Sequence, residues 1–160
     1  MKSILAGIDF TAPSPTVLRH AIHTARSMGT PVHAVHVLDS GRVARWASGG
    51  QKTSAEALAE QAKHRLDAFV QDHAPDFRVE TEVHIGRSAT ELCRAVTQHN
   101  ASLLVIAAND LTKKRLGSVA SACVRCAASD VLVLRDWQEG NFQHLVVCTD
   151  FSAMSKRVLE

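Results

Sequence analysis

The chain has 160 residues, 46% of them apolar and 21% charged, with a formal net charge of +2. That length supports one good core of ordinary domain size, and the near balance of charge leaves no electrostatic footprint for nucleic acid or an anionic membrane. Four cysteines without framework spacing fit a reducing compartment, the absence of Tyr argues against a stacking surface for single strands, and no apolar run approaches the ~20 residues of a membrane span.

In chain order, Met1-Lys2 lead straight into a short apolar run over 3–9, with no signal-peptide pattern, so a cytoplasmic protein is expected. Thr11-Ala-Pro-Ser-Pro breaks the run. From Ser14 the spacing predicts a helix with Val17, Leu18, Ala21, Ile22 and Ala25 on one face, stopped by Gly29 with Pro31 beyond it. Residues 32–38 read as a second strand and 39–52 as a Gly/Ser-rich loop. A long helix is predicted over 53–73, its buried stripe being Ala57, Leu58, Ala62, Leu66, Phe69 and Val70. A third strand, 78–85, alternates Val79, Thr81, Val83 and Ile85 with charged neighbours. Gly86 turns the chain, and Ser88-Ala-Thr-Glu91 reads as a capping box that opens a third helix. Residues 103–108 are continuously apolar, as a central parallel strand buried on both faces should be. A fourth helix over about 117–128 and a fifth strand over 131–135 complete the unit.

Strands that alternate with helices imply right-handed crossovers and a parallel sheet covered on both faces. The expected fold is therefore α/β. Ligands of such sheets sit beyond the carboxyl ends of the strands, where strand order reverses, which directs attention to the loops after Asp9, Leu38 and Ala108.

The chain also begins twice. Residues 9–18 (DFTAPSPTVL) return 141 positions later as 150–159 (DFSAMSKRVL). Asp9/Asp150, Phe10/Phe151, Ala12/Ala153, Ser14/Ser155, Val17/Val158 and Leu18/Leu159 are identical, and Thr11/Ser152 keeps the hydroxyl. One complete unit is expected over 1–137, a linker over 138–143, and the first strand and helix start of a second, incomplete unit over 144–160. A strand and a helical turn cannot bury their own apolar face, so the chain is expected to be a fragment of a tandem protein, or its tail to add to an edge strand such as 131–135.

Three stretches together resemble the universal stress protein family: ILAGIDFTAPSPTVLRHAIHTARSMGTPVHAVHVLD, VHIGRSATELCRAVTQHNASLLVIA and LGSVASACVRCAASDVLVLR. The resemblance covers 1–137 and resumes over 144–160. It implies an open five-stranded parallel sheet of order 3-2-1-4-5 with helices on both faces, Rossmann-like and similar to the adenine nucleotide alpha hydrolase fold. It also implies association through the last strand, here Val131, Leu132, Val133 and Leu134, in a homodimer or with a tandem domain.

One branch of that family binds ATP. It uses an Asp ending the first strand, backbone at the end of the second, and a glycine motif after the fourth: Gly, two residues, Gly, nine residues, then Gly-Ser/Thr. Asp9, Val37, Gly117, Ser118 and the following Val119 match. Ala107 and Asp110 stand where the first two glycines belong, and only six residues separate Asp110 from Gly117. Ala107 adds a methyl where backbone must approach a ligand. A carboxylate at ~4 Å from a phosphate charge costs about 4 kcal/mol at an effective dielectric of ~20. Lys113, Lys114 and Arg115 offset part of this without restoring the cradle. No cofactor is therefore expected, and ATP is disfavoured.

Other motifs are read as structural. SGGQKTS (48–54) lacks Gly directly before Lys52 and follows no strand, so it is not a phosphate loop. Cys123 and Cys126 share a helix face and read as small core residues, with Cys93 and Cys148 standing alone. His20/His23 share a helix face, His33/His36 lie on opposite faces of a strand, and without a third convergent ligand no metal site is assigned. No nucleophile–base pair presents itself, so no catalytic residue is assigned. The expected function is a stress-response binding and regulatory module that acts through dimerisation, without typical ATP binding in this domain. The alternative is an adenine-nucleotide-binding protein with a shortened phosphate loop, in which Lys113 or Lys114 meets phosphate.

Overall fold

The computed structural model describes residues 2–48, 54–108, 116–134, 144 and 146–148. Asp110, Lys113, the expected linker and most of the expected second unit lie outside these residues. Five parallel strands form one sheet: β1 (Ser3–Gly7), β2 (Val32–Asp39), β3 (Val79–Gly86), β4 (Ala101–Ala107) and β5 (Asp130–Leu134). Their order is β3-β2-β1-β4-β5, the expected one. Five described helices connect them, α2 and α3 both between β2 and β3: α1 (Ser14–Met28), α2 (Ser40–Ser48), α3 (Ala55–His73), α4 (Ser88–Gln98) and α5 (Ser118–Cys126).

The period-two alternation of the central strands divides the core into two apolar layers. Ile4, Ala6 and Val105 join Val17, Leu18 and Ile22 of α1 and Leu66 of α3 on one face. Leu5, Val35, Leu104 and Ile106 join Leu92 and Val96 of α4 and Ala120 and Cys123 of α5 on the other. The α1 stripe is buried at every expected position, with Ser14 added. Gly29 ends α1 at φ 61°, a conformation that glycine adopts without steric cost. Ser54 opens α3 by accepting from the Ala57 N–H at 3.2 Å. Of the stripe expected on α3, Leu58, Ala62, Leu66 and Val70 are buried, whereas Ala57 is exposed.

Two local expectations are corrected. The stretch read as loop contains α2, because Val43 docks an apolar side chain, 9% exposed, while Gly41 lies in the first turn where glycine is tolerated. The capping box does not form. Ser88 is already helical, Arg87 occupies the N-cap without a side-chain bond, and Glu91 turns instead toward His84 and Arg94, each 3.5 Å away. No described helix is long and apolar enough to cross a membrane.

Candidate functional site

A cleft opens at the carboxyl ends of β1, β2 and β4, where strand order reverses. It is lined by Gly7, Ile8, Asp9, Val35, His36, Val37, Ile106 and Ala107 from the strands, by Ser88 and Leu92 from α4, and by Val119 from α5. Its volume is ≈ 130 Å³, below the 300–1,000 Å³ of pockets that engulf a drug-sized ligand. A ring or sugar edge fits within the described part of it.

The turn from β1 into α1 is built on one carboxylate oxygen. Asp9 Oδ1 accepts from the Thr11 N–H at 3.0 Å, from Thr11 Oγ1 at 2.6 Å and from Ser14 Oγ at 2.9 Å. Ser14 is 1% exposed, so its hydroxyl depends on Asp9 for a partner. Phe10 follows at φ 58°, a left-handed conformation costly for a residue with Cβ. Packing offsets that cost. The Phe10 ring lies 4.6 Å from the His36 ring and 5.9 Å from Phe69, with the Arg65 guanidinium 4.1 Å above it.

His36 donates from Nδ1 to the Ile8 carbonyl at 2.7 Å, which fixes its tautomer. Burial, the largest cause, and Arg65 hold its pKa below the usual histidine range against the opposing Ile8 bond and Asp9, so the ring is neutral at pH 7. Gly7 lines the cleft, yet its bareness serves packing. A Cβ there would lie 2.8 Å from Ile106 Cγ2 and 3.4 Å from Leu92 Cδ2.

Of the residues singled out from sequence, Asp9, Val37, Ala107 and Val119 come together in this cleft. Gly117 and Ser118 stand beside Val119 as N-cap and first residue of α5. Among the described residues a Cβ on Gly117 would meet nothing within 4 Å. Val131, Leu132, Val133 and Leu134 lie in β5 at the sheet edge. His36, Ser88, Leu92 and Ile106 were missed as lining residues. The His-Val pair that closes the second strand was the available signal for His36; burial of Leu92 and Ile106 reads as core until topology is known.

The cysteine expectation is half corrected. Cys123 is fully buried, but Cys126 is exposed and its Sγ lies 3.0 Å from Cys93 Sγ across the α4–α5 contact, so Cys93 does not stand alone. Burial first, and the Cys126 hydrogen bond second, push the Cys93 thiol up to about 12. At neutral pH it is a protonated packing group rather than a nucleophile.

A model of the universal stress protein family matches residues 1–135. Universal stress protein Rv3134c of Mycobacterium tuberculosis is 26% identical over 135 residues, covering 83% of this chain and 48% of that protein. The chain thus spans about half the length of the curated relatives it matches. Among solved structures, universal stress protein UspA from Lactobacillus plantarum superposes with a TM-score of 0.64 at 22% identity, over 84% of this chain and 97% of that one. The universal stress protein from Archaeoglobus fulgidus in complex with dAMP superposes with a TM-score of 0.55 at 24% identity, over 83% and 97%. At these identities the likeness is one of fold.

Proposed function

This chain belongs to the universal stress protein family, and we propose that it is a cytoplasmic, non-catalytic binding module that works by associating through β5, with a cleft that does not hold ATP in the family's usual way. One observation carries the association. Among the described residues β5 pairs with β4 alone, and its Val131, Leu132 and Val133 are only partly buried. An apolar edge with unpaired backbone groups is a template for a second strand. The other edge, β3, carries Glu80, Glu82 and His84 on its α4 face, and inward-pointing charges of this kind blunt pairing. The partner is a second copy or a tandem domain.

The cleft supports the non-catalytic half of the reading. Its carboxylate Asp9 commits Oδ1 to three donors, and its His36 commits Nδ1 to a carbonyl. Neither is arranged as a base beside a nucleophile. The Archaeoglobus fulgidus relative is in complex with dAMP, which supports an adenine-type ligand as the class to test here. The phosphate side of the motif is where this sequence departs, at Ala107 and Asp110.

Sedimentation equilibrium tests the association. The expected mass is twice the 17.3 kDa of the chain, falling to one chain for Val133→Lys with an unchanged circular dichroism spectrum. A monomer at all concentrations, or a folded Val133→Lys variant that still dimerises, would overturn it.

A further inference from the structure

On the α4 face of the sheet, toward the amino ends of the strands, lies a group of imidazoles and carboxylates that the cleft does not use. In register, His33 of β2 stands beside Glu80 of β3, and Glu82 lies two residues further along the same face. His99, at the C-cap of α4, closes over them. His99 is held in place by its own backbone: its N–H donates to the Ala95 carbonyl at 2.9 Å, and its carbonyl accepts from Ser3 Oγ at 2.9 Å.

We infer that His33 Nδ1, His99 Nε2 and a Glu82 carboxylate oxygen form a binding site for a divalent transition metal of the zinc type. Glu82 Oε1 lies 2.8 Å from His99 Nε2 and 3.9 Å from His33 Nδ1. All three ligand atoms fall within 4.8 Å of one another. Ligands about 2.0–2.1 Å from a tetrahedral zinc ion stand roughly 3.3 Å apart, so modest side-chain rotation suffices to close the site.

A hydrogen-bonded core cluster is the competing reading, and the geometry disfavours it. His33 is 7% exposed, yet its buried Nδ1 makes no hydrogen bond, and the buried His99 Nε2, 2.8 Å from Glu82 Oε1, is poorly aligned for one. Buried polar atoms are nearly always paired, and an unpaired imidazole nitrogen and a misaligned one, both facing one carboxylate, ask for a shared partner. The two rings stack at 4.0 Å with an interplanar angle of 25°, so two imidazolium charges there would repel. Neutral imidazoles and a carboxylate are the donor set zinc takes.

The surroundings match a ligand sphere. The far oxygen of Glu82 is held by His84 Nε2 at 3.1 Å, and His84 Nδ1 faces Glu91 at 3.5 Å, which orients the ligating carboxylate from behind. Glu80 Oε2, 3.5 Å from His33 Nδ1 on a half-exposed side chain, is within reach of the fourth position. The three ligands come from β2, β3 and the end of α4. A bound ion would therefore clamp β2 and β3 to that helix and raise stability rather than perform chemistry in the cleft.

Chelator-treated protein titrated with Zn²⁺, and separately with Co²⁺, tests the site. The expected result is one equivalent bound, a melting temperature raised by several degrees, and cobalt d–d bands of a tetrahedral site without a thiolate-to-cobalt band in the near ultraviolet. Glu82→Gln and His99→Asn should each lose about tenfold or more in affinity, while His64→Asn on α3 should bind like the wild type. If His99→Asn does not fold, Glu82→Gln decides. No stoichiometric binding, a thiolate band pointing to Cys93 and Cys126, or affinity unchanged in Glu82→Gln would overturn the inference.

Discussion

Asp9→Ala is expected to lower stability by about 2–3 kcal/mol, read as a fall of roughly 1–2 M in the urea midpoint. The loss has two parts. The charge-assisted bonds from Thr11 disappear, and the buried Ser14 hydroxyl loses its acceptor. Asp9→Asn keeps an acceptor oxygen and should recover a good part of the loss. An unchanged midpoint in Asp9→Ala would mean that the carboxylate is held for a ligand and that the turn stands without it.

The same turn accounts for what the two beginnings of the chain share. Asp9, the hydroxyl at Thr11 and Ser14 are the three partners of the hydrogen-bonded turn, and Phe10 is its left-handed anchor. Val17 and Leu18 are fully buried in the core beneath α1. Ala12, which is exposed, is the one identical position without such a role. Over residues 9–18 the decapeptide is thus a folding device first.

Gly7→Ala should cost about 1–3 kcal/mol, although the residue lines the cleft. Its added Cβ would meet Ile106 Cγ2 at 2.8 Å, a distance real side chains do not tolerate. Ile106 is 4% exposed on the central strand β4 and has little room to yield. Ile106→Ala alone should cost about 2–5 kcal/mol through its cavity. The double variant should be less destabilised than the sum of the two, because the new methyl enters the space the larger one leaves. Strict additivity, measured by denaturant unfolding, would show that Gly7 and Ile106 do not compete for one volume.

The parallel α/β class, the α1 stripe and the position of the cleft were legible in the sequence, because each rests on local periodicity and on the topology that alternating elements impose, whereas the strand order came from the family resemblance. What was not legible depended on long-range pairing. The third strand's alternation showed only that charged neighbours share one face; it did not show that α4 covers Glu82 and His84 and brings His99 to His33, which lies 66 positions before it. Cys93 and Cys126 meet only because α4 and α5 pack side by side. Glu91 had the spacing of a capping partner, but His84 and Arg94 offered it ion pairs that the helix start could not match. Arg42 to Ala47 was masked by the glycines around it, and only the docking of Val43 shows why that stretch is helical.

A thermal-shift titration with ATP and Mg²⁺, with Mg²⁺ alone as control, tests the central claim most directly. A ligand at 100 times its dissociation constant stabilises its protein by about 2.7 kcal/mol, a shift of several degrees for a domain of this size. The account predicts a melting temperature that stays flat into the millimolar range, because Ala107 and Asp110 replace the glycines of the phosphate cradle. A saturable rise with ATP, absent with Mg²⁺ alone, would contradict it and make this cleft a nucleotide site.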